Sequence, residues 1–144
     1  DDPTDVPARA AALTGALLGG RCLQNASVGI HHGLAQQVGA RTGIPHGRAN
    51  AVLLAHALRF NLPAIGAAGP RIGAALGDPD DPAGAVDRLR QRLGLPGSLA
   101  AAGVNRDDLD AVAMAAQDSP GVRANPRPAG PDEVRGVLEA AWAG

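Results

Sequence analysis

Proline and glycine gather in a few short breaks along this chain, and between the breaks apolar residues recur every three or four positions. That arrangement admits helices and little else, because a helical period needs uninterrupted runs and strands need alternation. The breaks are Thr42-Gly43-Ile44-Pro45, Asp78-Pro79-Asp80-Asp81-Pro82, Gly94-Leu95-Pro96-Gly97 and Asn125-Pro126-Arg127-Pro128. No segment alternates convincingly, and no internal repeat is visible.

Read in order, the chain predicts a first helix over residues 8–22, with Pro7 tolerated in its first turn. Leu13, Leu17 and Leu18 stand there among Ala and Gly with almost no polar face, which predicts burial on most sides; Gly19-Gly20 weakens the end of this helix. A second helix is expected over residues 27–39. Pro45 then pre-sets a third over 46–61, where Ala49, Val52, Leu53, His56 and Phe60 form one stripe. A fourth is expected over 63–76, and a fifth begins at Pro82 with Val86, Leu89 and Leu93 inward. Asn105 is placed to cap a sixth, with Asp107 and Asp108 in its first turn and Leu109, Val112, Ala113 and Ala116 as its stripe. The last runs from Pro131 to Trp142 on Val134, Val137, Leu138 and Ala141. The expected fold is all-α, about seven helices in a single domain over residues 1–144, a length that buries a real core.

Composition narrows the function. With Phe60 and Trp142 as the only aromatics and 20 glycines among many alanines, these helices can approach one another closely. The net charge is −1, with 13 basic residues that are all Arg, so no basic face for nucleic acid is expected. A single Cys22 excludes an internal disulfide and suits a reducing cytoplasm. The apolar run over residues 10–20 is too short to span a membrane, and the acidic stretch before it is unlike the basic start of a signal peptide, so a cytoplasmic location is expected.

All four histidines, His31, His32, His46 and His56, fall within residues 29–61. Neutral imidazole is the commonest transition-metal ligand, so metal coordination is the leading chemical reading of this stretch. His32 and His46 lie on different helices across a tight turn, where both can face one cavity. Histidines on helices also cap, pack or only hydrogen-bond, and this spacing matches no recognised coordination motif. A complete site wants three or four protein ligands, and no Asp stands one helical turn before any His. Adjacent side chains on a helix diverge, so His31 cannot share the face of His32 and reads as a supporting or structural residue. His56 reads as a packed core histidine, with a cleft role as the alternative. Cys22 beside Arg21 reads as inert packing rather than a nucleophile. No G-x-S-x-G elbow and no nucleotide-binding glycine loop is present.

The stretches Gly29-Ile30-His31-His32-Gly33-Leu34, Gly43-Ile44-Pro45-His46-Gly47, Ala49-Asn50-Ala51-Val52-Leu53-Leu54, His56 and Arg59-Phe60-Asn61, with Asn125-Pro126-Arg127-Pro128 before a last helix, resemble the iron-containing (group III) alcohol dehydrogenases, in particular their maleylacetate-reductase-like branch. The resemblance covers essentially the whole chain. It implies the C-terminal helical domain of a two-domain oxidoreductase whose N-terminal α/β domain binds NAD(P). A divalent metal, usually iron and sometimes zinc, polarises a small-molecule alcohol or carbonyl oxygen while hydride moves to or from the nicotinamide. One Asp and three His bind that metal, and His32 and His46 match the last two; the Asp and the first His would lie before Asp1, as would the nucleotide domain. Gln36 stands where the family often has a substrate-pocket His, and Gln hydrogen-bonds without relaying protons. The catalytic candidates are therefore Gln36 and His56, and the metal candidates His32 and His46. Two further departures are Ala55, where a proline is usual, and Gly130, where a helix cap is usual. The expected partner is a chain carrying the nucleotide-binding half, or a further copy in an oligomer. The other reading is a truncated member retained as a cofactor-independent small-molecule enzyme or a non-catalytic binding protein.

Overall fold

The chain leaves its second helix, Ile30–Thr42 (α2), at Gly43, whose φ of 72° is left-handed backbone that glycine adopts without a side-chain clash. Three residues later the third helix, His46–Asn61 (α3), begins, preceded by Pro45 at φ −56°. The Gly-Ile-Pro break is thus a tight hinge that folds α3 back onto α2. The computed structural model describes residues 2–144. Before the pair lies α1, Val6–Asn25; after it come a 3-10 turn at Leu62–Ala64, then α4 (Ala68–Leu76), α5 (Pro82–Arg92), α6 (Asp108–Ala116), α7 (Pro120–Arg123) and α8 (Pro131–Ala143). Eight α-helices and one 3-10 turn, with no strand, make up the regular structure of the described residues.

The core is built around α2 and α3. Ile30, Leu34 and Val38 from α2 meet Val52 and Leu53 from α3, Leu109 and Val112 from α6, and Val134 and Leu138 from α8, all essentially free of solvent. Glycines let α2 sit this deep. A Cβ on Gly33 would lie 2.7 Å from Ser119 Oγ, so α7 can press against α2 only because that position is glycine. The non-helical stretch between α5 and α6 is fastened to α8: Leu99 is buried and its N–H donates to Ala141 O at 2.8 Å, while the Trp142 indole N–H donates to Val104 O at 3.0 Å.

Several local expectations are corrected. The fourth predicted helix is interrupted, because Pro63 and the left-handed Gly66 break it into a 3-10 turn and α4. Asn105 does not cap α6; its Oδ1 accepts from Asp107 N–H, and Asp107 becomes the N-terminal flanking residue. In α5, Val86 is buried but Leu89 and Leu93 are 37% and 64% exposed, because they border an open apolar cleft with Ala51 and Leu54 of α3 instead of filling the core. The short α7 has no counterpart in the sequence reading.

The largest correction concerns α1. Asp5 caps it, its carboxylate accepting from Ala8 N–H at 3.0 Å, and Pro7 fits its first turn. It runs through Gly19-Gly20 to Asn25, yet none of its residues is buried. Leu13, Leu17 and Leu18 are 72%, 66% and 57% exposed. The expected burial of this helix on most sides is therefore not met: nothing among the described residues covers its leucines. No helix among those residues is long and apolar enough to cross a membrane.

Two outcomes follow. Leu53→Ala, fully buried between helices, should cost about 2–5 kcal/mol in denaturant unfolding. Helices in proteins draw most of their stability from tertiary packing, which α1 lacks, so hydrogen exchange on the isolated chain should find the α1 amides exchanging at least ~100-fold faster than those of α3; equal protection would mean that α1 packs against the rest.

Candidate functional site

His32 is half-buried in the first turn of α2, and His46, the first residue of α3, is exposed. The hinge at Gly43 and Pro45 brings their rings edge to face, with centroids 5.4 Å apart and planes at 83°. Two imidazoles on one tetrahedral ion, each at about 2.0–2.1 Å through nitrogen, place their centroids roughly 5 Å apart. The observed separation therefore suits two donors to a shared ion. No group of three or more His, Cys, Asp or Glu able to hold a metal occurs among the described residues. The pair fits half of a metal site.

Two supports hold the pair, and the sequence reading drew attention to only part of them. The Nε2 of His31 lies 3.0 Å from Asn50 O, and because a carbonyl only accepts, that nitrogen carries the proton. The Asn50 amide in turn donates to His46 O at 2.9 Å, so one residue touches both histidine segments. Asn50 escaped sequence reasoning because an asparagine four residues into a helix reads only as a modest helix former; its position one turn after His46 was the available signal. The second support is the loop at Asn125. Its side-chain oxygen accepts the Ile30 N–H at 3.0 Å, capping the turn that carries His31 and His32.

The other candidates stand apart from the pair. Gln36 is exposed one helical turn after His32, on the same side of α2. His56 is half-buried and lines a cleft of about 330 Å³ with Arg59, Phe60, Arg127 and Glu133, to which neither His32 nor His46 contributes. A second cleft, about 340 Å³, has His31, Leu54, Leu58, Asn61 and Asn125 in its wall. Cys22 is a free, exposed thiol on α1. The cavity that His32 and His46 were expected to share is not enclosed by the described residues; His46 faces solvent.

Two histidines are shifted in the same direction. Burial holds His31 below its ordinary 6.5, the Asn50 hydrogen bond opposes this, and nearby His32 and His46 push further down. Burial likewise lowers His56, with Arg59 and Arg90 adding to it and Asp87 opposing. A histidine depressed in the folded state binds fewer protons folded than unfolded, so its neutral form contributes stability that is present above pH ~6.5 and lost as pH falls through the folded value. Thermal midpoints should therefore fall between pH 7 and pH 5, and His56→Gln should flatten that slope. An unchanged slope in the variant would show that His56 does not contribute to it.

The comparisons with known proteins bear on the family and the fold. The model of the Fe-containing alcohol dehydrogenase family, C-terminal, matches residues 1–142. A maleylacetate reductase of Burkholderia cepacia is 41% identical over 143 residues, covering 99% of this chain and 40% of that protein. Maleylacetate reductase 1 of Rhodococcus opacus is 32% identical over 143 residues, covering 99% of this chain and 39% of the relative. Among solved structures, an alcohol-dehydrogenase-like protein of Ralstonia eutropha JMP134 superposes with a TM-score of 0.92 at 36% identity, over 99% of this chain and 40% of its own. Maleylacetate reductase from Agrobacterium tumefaciens gives a TM-score of 0.71 at 32% identity, over 79% of this chain and 31% of its own. The chain thus spans about 40% of the length of the relatives it matches first. Its sequence and its helices lead to one conclusion: the chain belongs to the Fe-containing alcohol dehydrogenase family and corresponds to its C-terminal helical domain.

Proposed function

We propose that this chain supplies the helical, metal-site portion of an NAD(P)-dependent, iron-type oxidoreductase of the maleylacetate-reductase or alcohol-dehydrogenase kind, and that it works with a nucleotide-binding half outside the chain. The observation that carries this reading is the His32–His46 pair, at a separation suited to one ion and without a third donor among the described residues. In this reading His32 and His46 are two ligands, and the remaining ligands come from the other half. The bound metal would polarise a substrate carbonyl or alcohol oxygen.

The chain's own residues have narrower tasks. His31 and Asn50 tie the first turn of α2 to the first turn of α3, which fixes the backbone positions from which the two imidazoles reach the ion. Gln36, exposed one turn from His32, can hydrogen-bond a substrate oxygen and cannot relay a proton at neutral pH, so the proton in the reaction must come from solvent or from the other half. His56, in its separate cleft, takes the part of a packed histidine. The bare apolar length of α1 supports the need for a further half: Val6, Leu13, Leu17, Leu18 and Leu23 are each more than half exposed, a surface expected to be covered in the working assembly.

The test is reconstitution. The chain is expressed with and without the part of the Burkholderia cepacia maleylacetate reductase that it does not match, and metal content and NAD(P)H oxidation with maleylacetate are measured. Co-purification, stoichiometric iron or zinc and turnover should appear only with both halves. His32→Ala or His46→Ala should remove the metal and lower kcat/KM at least ~100-fold, whereas Gln36→Ala should keep the metal and lower it about 3–10-fold. A chain that stays alone, binds no metal and catalyses a reaction by itself would contradict the proposal and favour a repurposed domain.

A further inference from the structure

The Asn-Pro-Arg-Pro loop lies far along the chain from the histidines, yet it joins both of their helices. Asn125 is 8% exposed and fills four side-chain hydrogen-bonding positions. Its Oδ1 accepts from Ile30 N–H and from the Asn61 amide, both at 3.0 Å. Its Nδ2 donates to Asn61 Oδ1 at 2.6 Å and to Arg127 O at 2.7 Å. Ile30 opens α2, two residues before His32; Asn61 closes α3, which begins at His46. One buried amide therefore grips the start of one histidine helix and the end of the other.

The rest of the loop reinforces this grip. Arg127 Nη1 donates to Phe60 O at 2.9 Å, and its guanidinium stacks over the Phe60 ring at 4.2 Å. The fixed φ of Pro126 and Pro128 limits how far the loop can relax. The approach is close enough to need glycine on the other side, because a Cβ on Gly29 would sit 2.9 Å from Asn125 Oδ1. Only an amide offers the donors and acceptors that this arrangement uses, since a carboxylate would turn an oxygen toward Asn61 Oδ1 or Arg127 O.

We infer that Asn125 is a positioning residue for the histidine pair, clamping the first turn of α2 to the last turn of α3 and so setting the separation of His32 from His46. This deepens the metal-site reading, but it concerns ring placement and holds whether or not a metal is bound.

The experiment separates positioning from general stability. The His32–His46 ring-to-ring nuclear Overhauser effect is measured on the full chain, with Co²⁺ affinity recorded alongside. Asn125→Ala should reduce the ring-to-ring signal at least fivefold and weaken Co²⁺ binding at least tenfold. Trp142→Ala, which frees the far end of α8 and lowers the thermal midpoint at least as much, should leave both unchanged. Asn61→Ala removes two of the four bonds and keeps the Ile30 cap, and should give an intermediate loss, at least twofold in ring signal; it decides the matter if Asn125→Ala does not fold. A wild-type ring signal in Asn125→Ala, or in Asn61→Ala if the former is unfolded, would overturn the inference, as would an equal loss in Trp142→Ala. If the wild-type chain alone binds no Co²⁺ but the ring signal still falls in the two asparagine variants, the positioning role stands; the metal reading fails only if the chain reconstituted with its complementary half also binds none.

Discussion

The packing of α2 against α3 is the constraint on which the rest of this structure depends. Those two helices carry the histidines, bury a large share of the core, and are joined by a three-residue hinge. Glycine positions set how close α2 can come to its neighbours: Gly33 against Ser119, Gly29 against Asn125, and Gly121 against the Gly29 carbonyl, where a Cβ would lie 2.8 Å away. Replacing any of these glycines would move α2 and with it His32. The helices α6, α7 and α8 are best understood as the bed in which this pair is held.

Against that well-packed body, α1 is an anomaly of energy rather than of sequence. Its leucines would each gain about 1.5–3 kcal/mol from full burial, and here they face water. A helix with apolar residues on nearly every side has no face to which solvent is suited. The same incompleteness marks the histidine pair, where two imidazole rings stand at a separation suited to one ion and no third donor completes the set among the described residues. Both gaps, one apolar and one polar, belong to a chain that spans about 40% of its relatives. They have a single physical explanation if one further body covers α1 and supplies the missing ligands.

Much of this was legible in the sequence, and the limits were physical. The bounds of α3 were readable to the residue because a proline and a glycine fix its start. The core faces of α6 and α8 followed from their period, since each packs on one side only. Periodicity failed where it depends on a neighbour: it assigned α1 to the interior and turned Leu89 and Leu93 inward, because a pattern records what a helix is suited to bury and not whether the burying surface is present. At the site, the histidines announced themselves by chemistry and by family resemblance. Asn50 gave only a weak local signal, one turn after His46, and the Asn61–Asn125 amide pair gave none, because its role arises from contacts across as many as 95 positions of chain, which no local pattern records.

The central claim is that this chain forms one wall of a site completed elsewhere. It is tested most directly by calorimetric titration of Zn²⁺ into the chain alone and into the chain bound to its complementary half. The account predicts weak binding by the chain alone, dependent on both His32 and His46, and affinity at least ~100-fold tighter in the complex. Equal affinity in the two samples, or binding indifferent to both histidines, would contradict it.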